Sequence, residues 1–376
     1  MPMTQLAYTV RFETPAFLGN ADQAGQWRTP PFKALLRQWW RVVYAADYQH
    51  NVDLAAMRRE EGRLFGHAWL DDDRDERGRP VAARKSGIRL RLDTWDAGKL
   101  RSWPASDPRV SHPEVANGVG SQLYLGYGPL VFRNGMALKA NAAIQSGEIA
   151  TLALAVPDQA VPAISKALWL IDRFGALGGR SRNGWGSVSL APVQGTPRLE
   201  GDSGSWLRPW RDALGFDWPH AVGADDEGRP LVWVTVNAYD DWKELVRDLA
   251  IIKIGIRKNF RFTLDAAAGD TQTARGIKHG RPQRRHWLSY PVTNHSISPN
   301  HRQGTWPASA RLPNTLRFKV RPDADDAKKL RGVVFHVPCR PPAEFAPERT
   351  TIESVWAKVH GLLDQFGAVT LERIAE

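Results

Sequence analysis

From residue 230 onward the apolar pattern changes period in one particular order, and few folds accept that order. Residues 230–238 (PLVWVTVNA) read as a strand. Asp240 or Asp241 can cap a helix that runs from Trp242 to about Ile256. A long basic loop spans residues 257–313. Residues 315–320 and 332–337 then look like paired strands. Residues 351–366 recur at helical spacing up to Gly367, and residues 368–374 form a last strand.

The first half follows the same order once its loops are set aside. Residues 6–13 alternate like a strand, and Pro31 suits the start of a helix over residues 32–46. A second helix is expected over residues 58–70, an exposed charged turn at 71–80, and a strand at 88–95. Residues 96–120 look like an inserted loop. Strands are expected at 122–127 and 149–156, a helix at 163–174, a glycine-rich loop at 175–186, and a strand at 185–190. Residues 194–229 lack periodicity and read as an interdomain stretch. The expected architecture is α+β: tandem ferredoxin-like (βαββαβ) domains at 1–193 and 230–376, with long loop insertions.

Composition narrows the partners. Lys and Arg number 51 against 40 for Asp and Glu, so the net charge is +11, which favours an anionic partner. Sixteen tryptophans accompany it, most of them expected in the core and some able to stack on unpaired bases. The one cysteine, Cys339, excludes a disulfide framework and a multi-cysteine zinc site. No apolar run approaches the ~18 residues of a membrane span, and the longest, 149–156 and 250–256, look like core elements. The N-terminus does not read as a secretory leader, so a cytoplasmic protein with no membrane contact is expected.

Three segments carry chemistry. The loop 175–186 places glycines at 175, 178, 179, 184 and 186 around Arg180, Arg182 and Asn183. Glycines permit φ > 0 and close approach of main chain to a polyanion, and arginines grip phosphates bidentately. The loop joins a helix to a strand, so it is not a dinucleotide fingerprint, and no Gly-Lys-Ser/Thr follows it. In the helix that follows Pro30-Pro31, Lys33, Arg37 and Arg41 are four apart and share one face. Trp40 is expected inside with Leu36 and Val43, which leaves Trp39 to line a groove with Lys33 and Arg37. This helix and the glycine loop are expected to face a single groove. The third segment, 275–287 (RGIKHGRPQRRHW), has five Lys or Arg residues, two histidines and no acid, as a flexible nucleic-acid arm does.

Signatures of catalysis are weak. Gly201-Asp202-Ser203-Gly204 lies in the irregular stretch, with no His or Asp placed beside it. His67 suits an acid–base role in RNA cleavage but more simply ends a helix. His279, His286, His295 and His301 show no metal-ligand spacing, and Asp71-Asp72-Asp73 reads as a solvated turn. No catalytic residue, metal or cofactor is expected.

Together these segments point to one family. Thr14–Gly19 reads Thr-Pro-Ala-Phe-Leu-Gly, residues 28–41 read Arg-x-Pro-Pro-Phe-Lys-x-x-Leu-Arg-x-Trp-Trp-Arg, Leu64-Phe65-Gly66 follows, and residues 178–186 read Gly-Gly-Arg-Ser-Arg-x-Gly-x-Gly. The chain resembles the RAMP superfamily of CRISPR proteins, and within it the terminal-cap subunits of type III-B (Cmr) effector complexes. Its second half is similar more loosely, through strand order and Tyr290-Pro291-Val292-Thr293-Asn294-His295. The resemblance implies a non-catalytic RNA-binding subunit that helps hold the crRNA 3′ region and capture complementary target RNA in antiviral defence. Partners would be crRNA, target RNA, and the other RAMP and large subunits of the effector. The candidate RNA contacts are Arg28, Lys33, Arg37 and Arg41; Gly178, Gly179, Arg180, Ser181, Arg182 and Asn183; and Arg281, Arg284 and Arg285. The alternatives are a metal-independent endoribonuclease of the crRNA-processing kind, using His67 or a loop histidine, and a protein-interaction scaffold.

Overall fold

The computed structural model describes residues 2–374 apart from residues 23, 69, 71, 76, 105–106, 141, 202–203, 291, 293, 299, 302–303, 306–310 and 313. Asp71 of the acidic turn, Asp202 and Ser203 of the 201–204 stretch, and Pro291 and Thr293 therefore lie outside the described residues.

In the first half, β1 (Met3–Phe12), α1 (Thr29–Asp47), α2 (Leu54–Phe65) and β2 (Arg89–Leu92) precede an inserted block. The block includes α3 (Ser121–Gly126) and a hairpin of β3 (Leu130–Phe132) and β4 (Met136–Leu138). Then come β5 (Ile149–Pro157), α4 (Val161–Phe174) and β6 (Val188–Pro192). The main sheet runs β6-β1-β5-β2 with all neighbours antiparallel. Alternation in β1 sends Leu6, Tyr8, Val10 and Phe12 to the buried face. There they meet Leu36, Trp39 and Trp40 of α1 and Leu168 and Ile171 of α4 in one core. Pro30 and Pro31 sit in the first turn of α1, where a missing N–H costs no helical bond.

The stretch 194–229 is more ordered than its composition suggests. It holds β7 (Leu207–Pro209), the single turn α5 (Trp210–Ala213) and β8 (Val222–Ala224), with β7 and β8 paired in parallel. The expected strand at 122–127 is instead the helix α3, because a six-residue apolar run carries too little periodicity to separate the two.

In the second half, β9 (Val232–Thr235), α6 (Trp242–Lys258), β10 (Leu316–Pro322), β11 (Leu330–His336), α7 (Arg349–Asp364) and β12 (Leu371–Arg373) follow in order. Their sheet runs β10-β11-β9-β12, again antiparallel throughout. Asp241 caps α6 by accepting from the Lys243 N–H at 2.9 Å.

This second sheet is buried on both faces. Val334 of β11, Trp233 of β9, and Leu316, Phe318 and Val320 of β10 join the core beneath α6 and α7. The intervening residues Val232, Val234, Val333 and Phe335 join the core of the first half, where Phe335 lies 5.0 Å from the Phe174 ring. In β10 the positions alternating with that helix-side set are Arg317 and Lys319, both buried. Lys319 Nζ donates to the carbonyls of Ile171 (2.9 Å) and Asp172 at the C-terminal end of α4. A cation there complements the negative end of the helix dipole. Burial nevertheless pushes its ammonium down to about 7.

The two halves also share an aromatic cluster. Trp185, fully buried, lies 5.4 Å from Phe17, 5.4 Å from Trp103 and 5.6 Å from Trp242 at the start of α6. Trp185→Ala should cost about 3–5 kcal/mol in a urea unfolding titration. Trp95→Ala, at a side chain 55% exposed, should stay within ~0.5 kcal/mol.

Candidate nucleic-acid interface

The glycine loop is stitched into both halves. Gly186 N donates to Pro15 O (2.9 Å) and Gly179 N to Phe17 O (3.0 Å). Phe318 N of β10 donates to Arg182 O (3.1 Å), and Val320 N donates to Ser187 Oγ (2.9 Å). The glycines serve this fit. A Cβ at Gly178 would sit 2.7 Å from Phe17 O, and one at Gly186 would sit 1.9 Å from Leu177 O. Both residues also hold positive φ, +90° and +65°. The reading of these glycines as an opening for a polyanion is corrected here: neighbouring main chain occupies that space.

The loop's polar side chains divide. Arg180 is exposed, holds φ +60°, and donates through Nε to Tyr127 O at 2.6 Å. Arg182 is partly buried, turned toward β10, and its guanidinium is destabilised by burial. Asn183 is buried, donating to Leu125 O (2.8 Å) and accepting from Lys253 Nζ (2.6 Å) and Asn314 Nδ2 (3.4 Å). Asn183 is thus a bridge between the halves and not a free RNA donor. Ser181 is partly buried beside it.

Lys253 and Arg257 extend this set along α6, one turn apart. Arg257 Nη1 donates to Ser289 Oγ at 3.2 Å. Desolvation, with Arg257 and Arg180 adding repulsion, pushes the Lys253 ammonium down to about 7. Desolvation likewise lowers Arg257. Arg180, Lys253 and Arg257 are each held by a neutral acceptor, so their charge is oriented and not cancelled. Two tyrosines border them: Tyr127, 60% exposed, and the partly buried Tyr124 of α3. Sequence reading missed Lys253 and Arg257. The available signal was a lysine inside the apolar run 250–256, where a plain core helix has no use for one.

The cations of α1 are differently placed. Arg37 Nε reaches Glu61 Oε1 at 2.8 Å, and Arg41 reaches Oε2 at 2.6 Å and Oε1 at 2.8 Å. Burial raises the Glu61 carboxyl, but the bonds from Arg41 and Arg37 outweigh it and hold it below its ordinary value. Lys33 lines a separate cavity of about 340 Å³ with Thr29, Pro30, Arg37, Ile88 and Leu90. Arg28 precedes α1, makes no capping bond, and has its Nε buried without a partner. Trp39 and Trp40 are both buried, so Trp39 lines no groove. The neighbours of this cation set are α2 and β2. Those of the glycine loop are α3, α6 and β10. The structure brings the two sets to different surroundings, and the single shared groove is not formed.

The run 275–287 is anchored but only partly buried, with Arg275 exposed at its start. Arg285 is buried and paired with Glu114; Arg284 bonds Ser354 Oγ; Arg281 stays exposed. His279 and His286 are buried, with His279 held by Asp270 at 2.8 Å. The expectation of a flexible solvated arm is therefore corrected, because Phe262, stacked on His279 and tilted against His286, and the Glu114 ion pair anchor the segment. Among the described residues no group of three or more His, Cys, Asp or Glu is arranged to hold a metal ion. Asp73 is fully buried and binds His67 (2.7 Å) and Arg84 (2.8 Å), so the acidic turn is a structural clasp at that residue.

No helix among the described residues is long and apolar enough to cross a membrane. No curated protein sequence matches the chain. Among solved structures it is similar to Cmr1 from Pyrococcus furiosus in its apo form, at 12% identity over 98% of both chains with a TM-score of 0.44. It is also similar to a chain of a type III-B Cmr-beta complex bound to cognate target RNA, at 12% identity, 95% and 99% coverage, and a TM-score of 0.45. A type IV-B CRISPR complex chain matches 52% of this chain and 93% of its own length, at 15% identity and a TM-score of 0.29. Residues 9–189, which run from β1 through the glycine loop, match the sequence model of the RAMP superfamily.

Proposed function

We propose that the chain is a non-catalytic RNA-binding subunit of a type III-B CRISPR effector ribonucleoprotein. In that role it helps hold the crRNA 3′ region and capture complementary target RNA, alongside other RAMP and large subunits in the cytoplasm. The observation that carries this reading is the seam of Arg180, Lys253 and Arg257, three cations oriented by neutral acceptors beside two tyrosines. Uncancelled cations next to aromatic rings suit a single strand, whose phosphates and unstacked bases both need partners. Arg37 and Arg41 contribute less, since Glu61 already neutralises them. The architecture we assign to this role is a tandem of ferredoxin-like domains, 1–193 and 230–376, joined through 194–229. The β6-β1-β5-β2 and β10-β11-β9-β12 orders support it, each placing the first and third core strands at the centre.

Arg180→Ala with Lys253→Ala should weaken single-stranded RNA binding and reduce the log–log salt slope by about 0.7 per lost phosphate contact. Lys328→Ala with Lys329→Ala, on the turn before β11, should change neither. Equal losses from both pairs would reduce the binding to undirected electrostatics.

The depressed ammonium of Lys253 sets a pH dependence. A phosphate beside it raises its pKa, so above pH 7 binding must take up a proton. RNA affinity should therefore fall as pH rises through 7, by up to roughly tenfold per unit. Lys253→Arg, which stays charged, should flatten the profile.

Labelled RNA incubated with the purified chain, with and without Mg²⁺, should remain intact. Specific cleavage abolished by His67→Ala would favour the endoribonuclease reading.

A further inference from the structure

Arg317 occupies a position that ordinary core packing would give to an aliphatic side chain. It lies on the face of β10 packed against the first half, and only 5% of it is exposed. Lys319, two residues on, meets the α4 carbonyls, whereas Arg317 meets none. Its Nε is buried with no hydrogen-bond partner, and among the described residues no carboxylate or carbonyl pairs with its guanidinium. The bond from Phe318 N to Arg182 O draws the glycine loop alongside, so Arg182 is the neighbouring charge. The Arg182 side chain also has no hydrogen-bond or ion-pair partner among the described residues. The other ionisable neighbours are Cys339, whose thiol burial pushes up to about 11, and the buried His336, whose imidazole burial holds well below its ordinary value; both are neutral. Asp217 acts on that thiol from an exposed position and is paired with neither arginine.

A guanidinium does not shed its proton to escape such a site, and buried charges in folded proteins are paired. Two adjacent arginines, one from each half and both without an anion, describe a site built for an oxyanion. A tetrahedral dianion offers each planar fork a pair of acceptor oxygens and balances both charges, which a single carboxylate does not. We propose that Arg182 and Arg317 form a clamp for one phosphate group at the junction of the two halves. The phosphate can be inorganic or the terminal phosphate of an oligonucleotide, both largely dianionic near neutral pH, or a phosphodiester within the strand, a monoanion that still offers each fork an unesterified oxygen. The clamp deepens the RNA reading where the phosphate belongs to RNA, and it stands without that reading where the phosphate is free.

The test uses the full chain, with inorganic phosphate compared against chloride at equal ionic strength. Phosphate should raise the melting temperature saturably. Arg317→Met should abolish that shift and should itself melt higher than the parent in chloride, because an unpaired buried charge has become an apolar chain. Arg182→Met provides the second variant and should also lose the shift, whereas Lys328→Ala, on the turn before β11 and outside both the clamp and the seam, should keep it. Oligoribonucleotides with 5′-phosphate, 3′-phosphate or hydroxyl ends then separate the sources. Tenfold tighter binding of one phosphorylated end assigns the clamp to that end. Equal binding of all three, each competing with inorganic phosphate, assigns it to an internal phosphodiester. Phosphate binding with no RNA binding keeps the clamp and removes the RNA reading. RNA binding unchanged by Arg317→Met, with no phosphate shift in the parent, overturns the clamp and leaves the RNA reading intact. A full phosphate shift retained by Arg317→Met overturns it as well.

Discussion

Strand β10 is buried on both faces, and the rest of the structure is arranged around that constraint. Its helix-side residues Leu316, Phe318 and Val320 complete the core under α6 and α7. Its other face carries Arg317 and Lys319 into the boundary with the first half. A buried ammonium is costly unless several acceptors meet it, and the C-terminal carbonyls of α4 do so for Lys319. That contact fixes where α4 ends relative to the second sheet. It therefore fixes where the glycine loop, which begins at the next residue, must lie.

Charge compensation then sorts the basic residues. Glu61 absorbs Arg37 and Arg41, Asp73 absorbs Arg84, and Glu114 absorbs Arg285. The cations beside the loop receive only amide, hydroxyl or carbonyl oxygens. Neutral acceptors fix direction without cancelling the field, and the recessed setting strengthens whatever field remains. Arg180, Lys253 and Arg257 thus keep uncancelled positive charge at the junction of the halves.

The glycine loop shows how one motif can have two physical explanations. Its composition suits phosphate approach, and it also suits a loop pressed against the Phe17 carbonyl and its own Leu177 carbonyl. The second explanation accounts for Gly178 and Gly186. It also accounts for the different exposures of Arg180 and Arg182, since a loop pinned at Phe318 by the Arg182 carbonyl turns one arginine inward and leaves the other outside.

The order of elements in each half was legible because strand and helix periodicities are local, set by residues two to four apart. The loop and the basic helix stood out for the same reason, as runs of neighbouring residue types. Six-residue α3 was misread because so short an apolar run does not distinguish the periods. The seam was not legible. Lys253 meets Asn183 70 positions away, Arg285 meets Glu114 171 positions away, and Arg37 meets Glu61 24 positions away. Sequence by itself determined how many cations the chain carries and which elements bear them. Only the tertiary structure decided which of those cations keep their charge uncancelled, because neutralisation depends on carboxylates that chain folding brings within about 3 Å, and sequence distance does not predict that proximity.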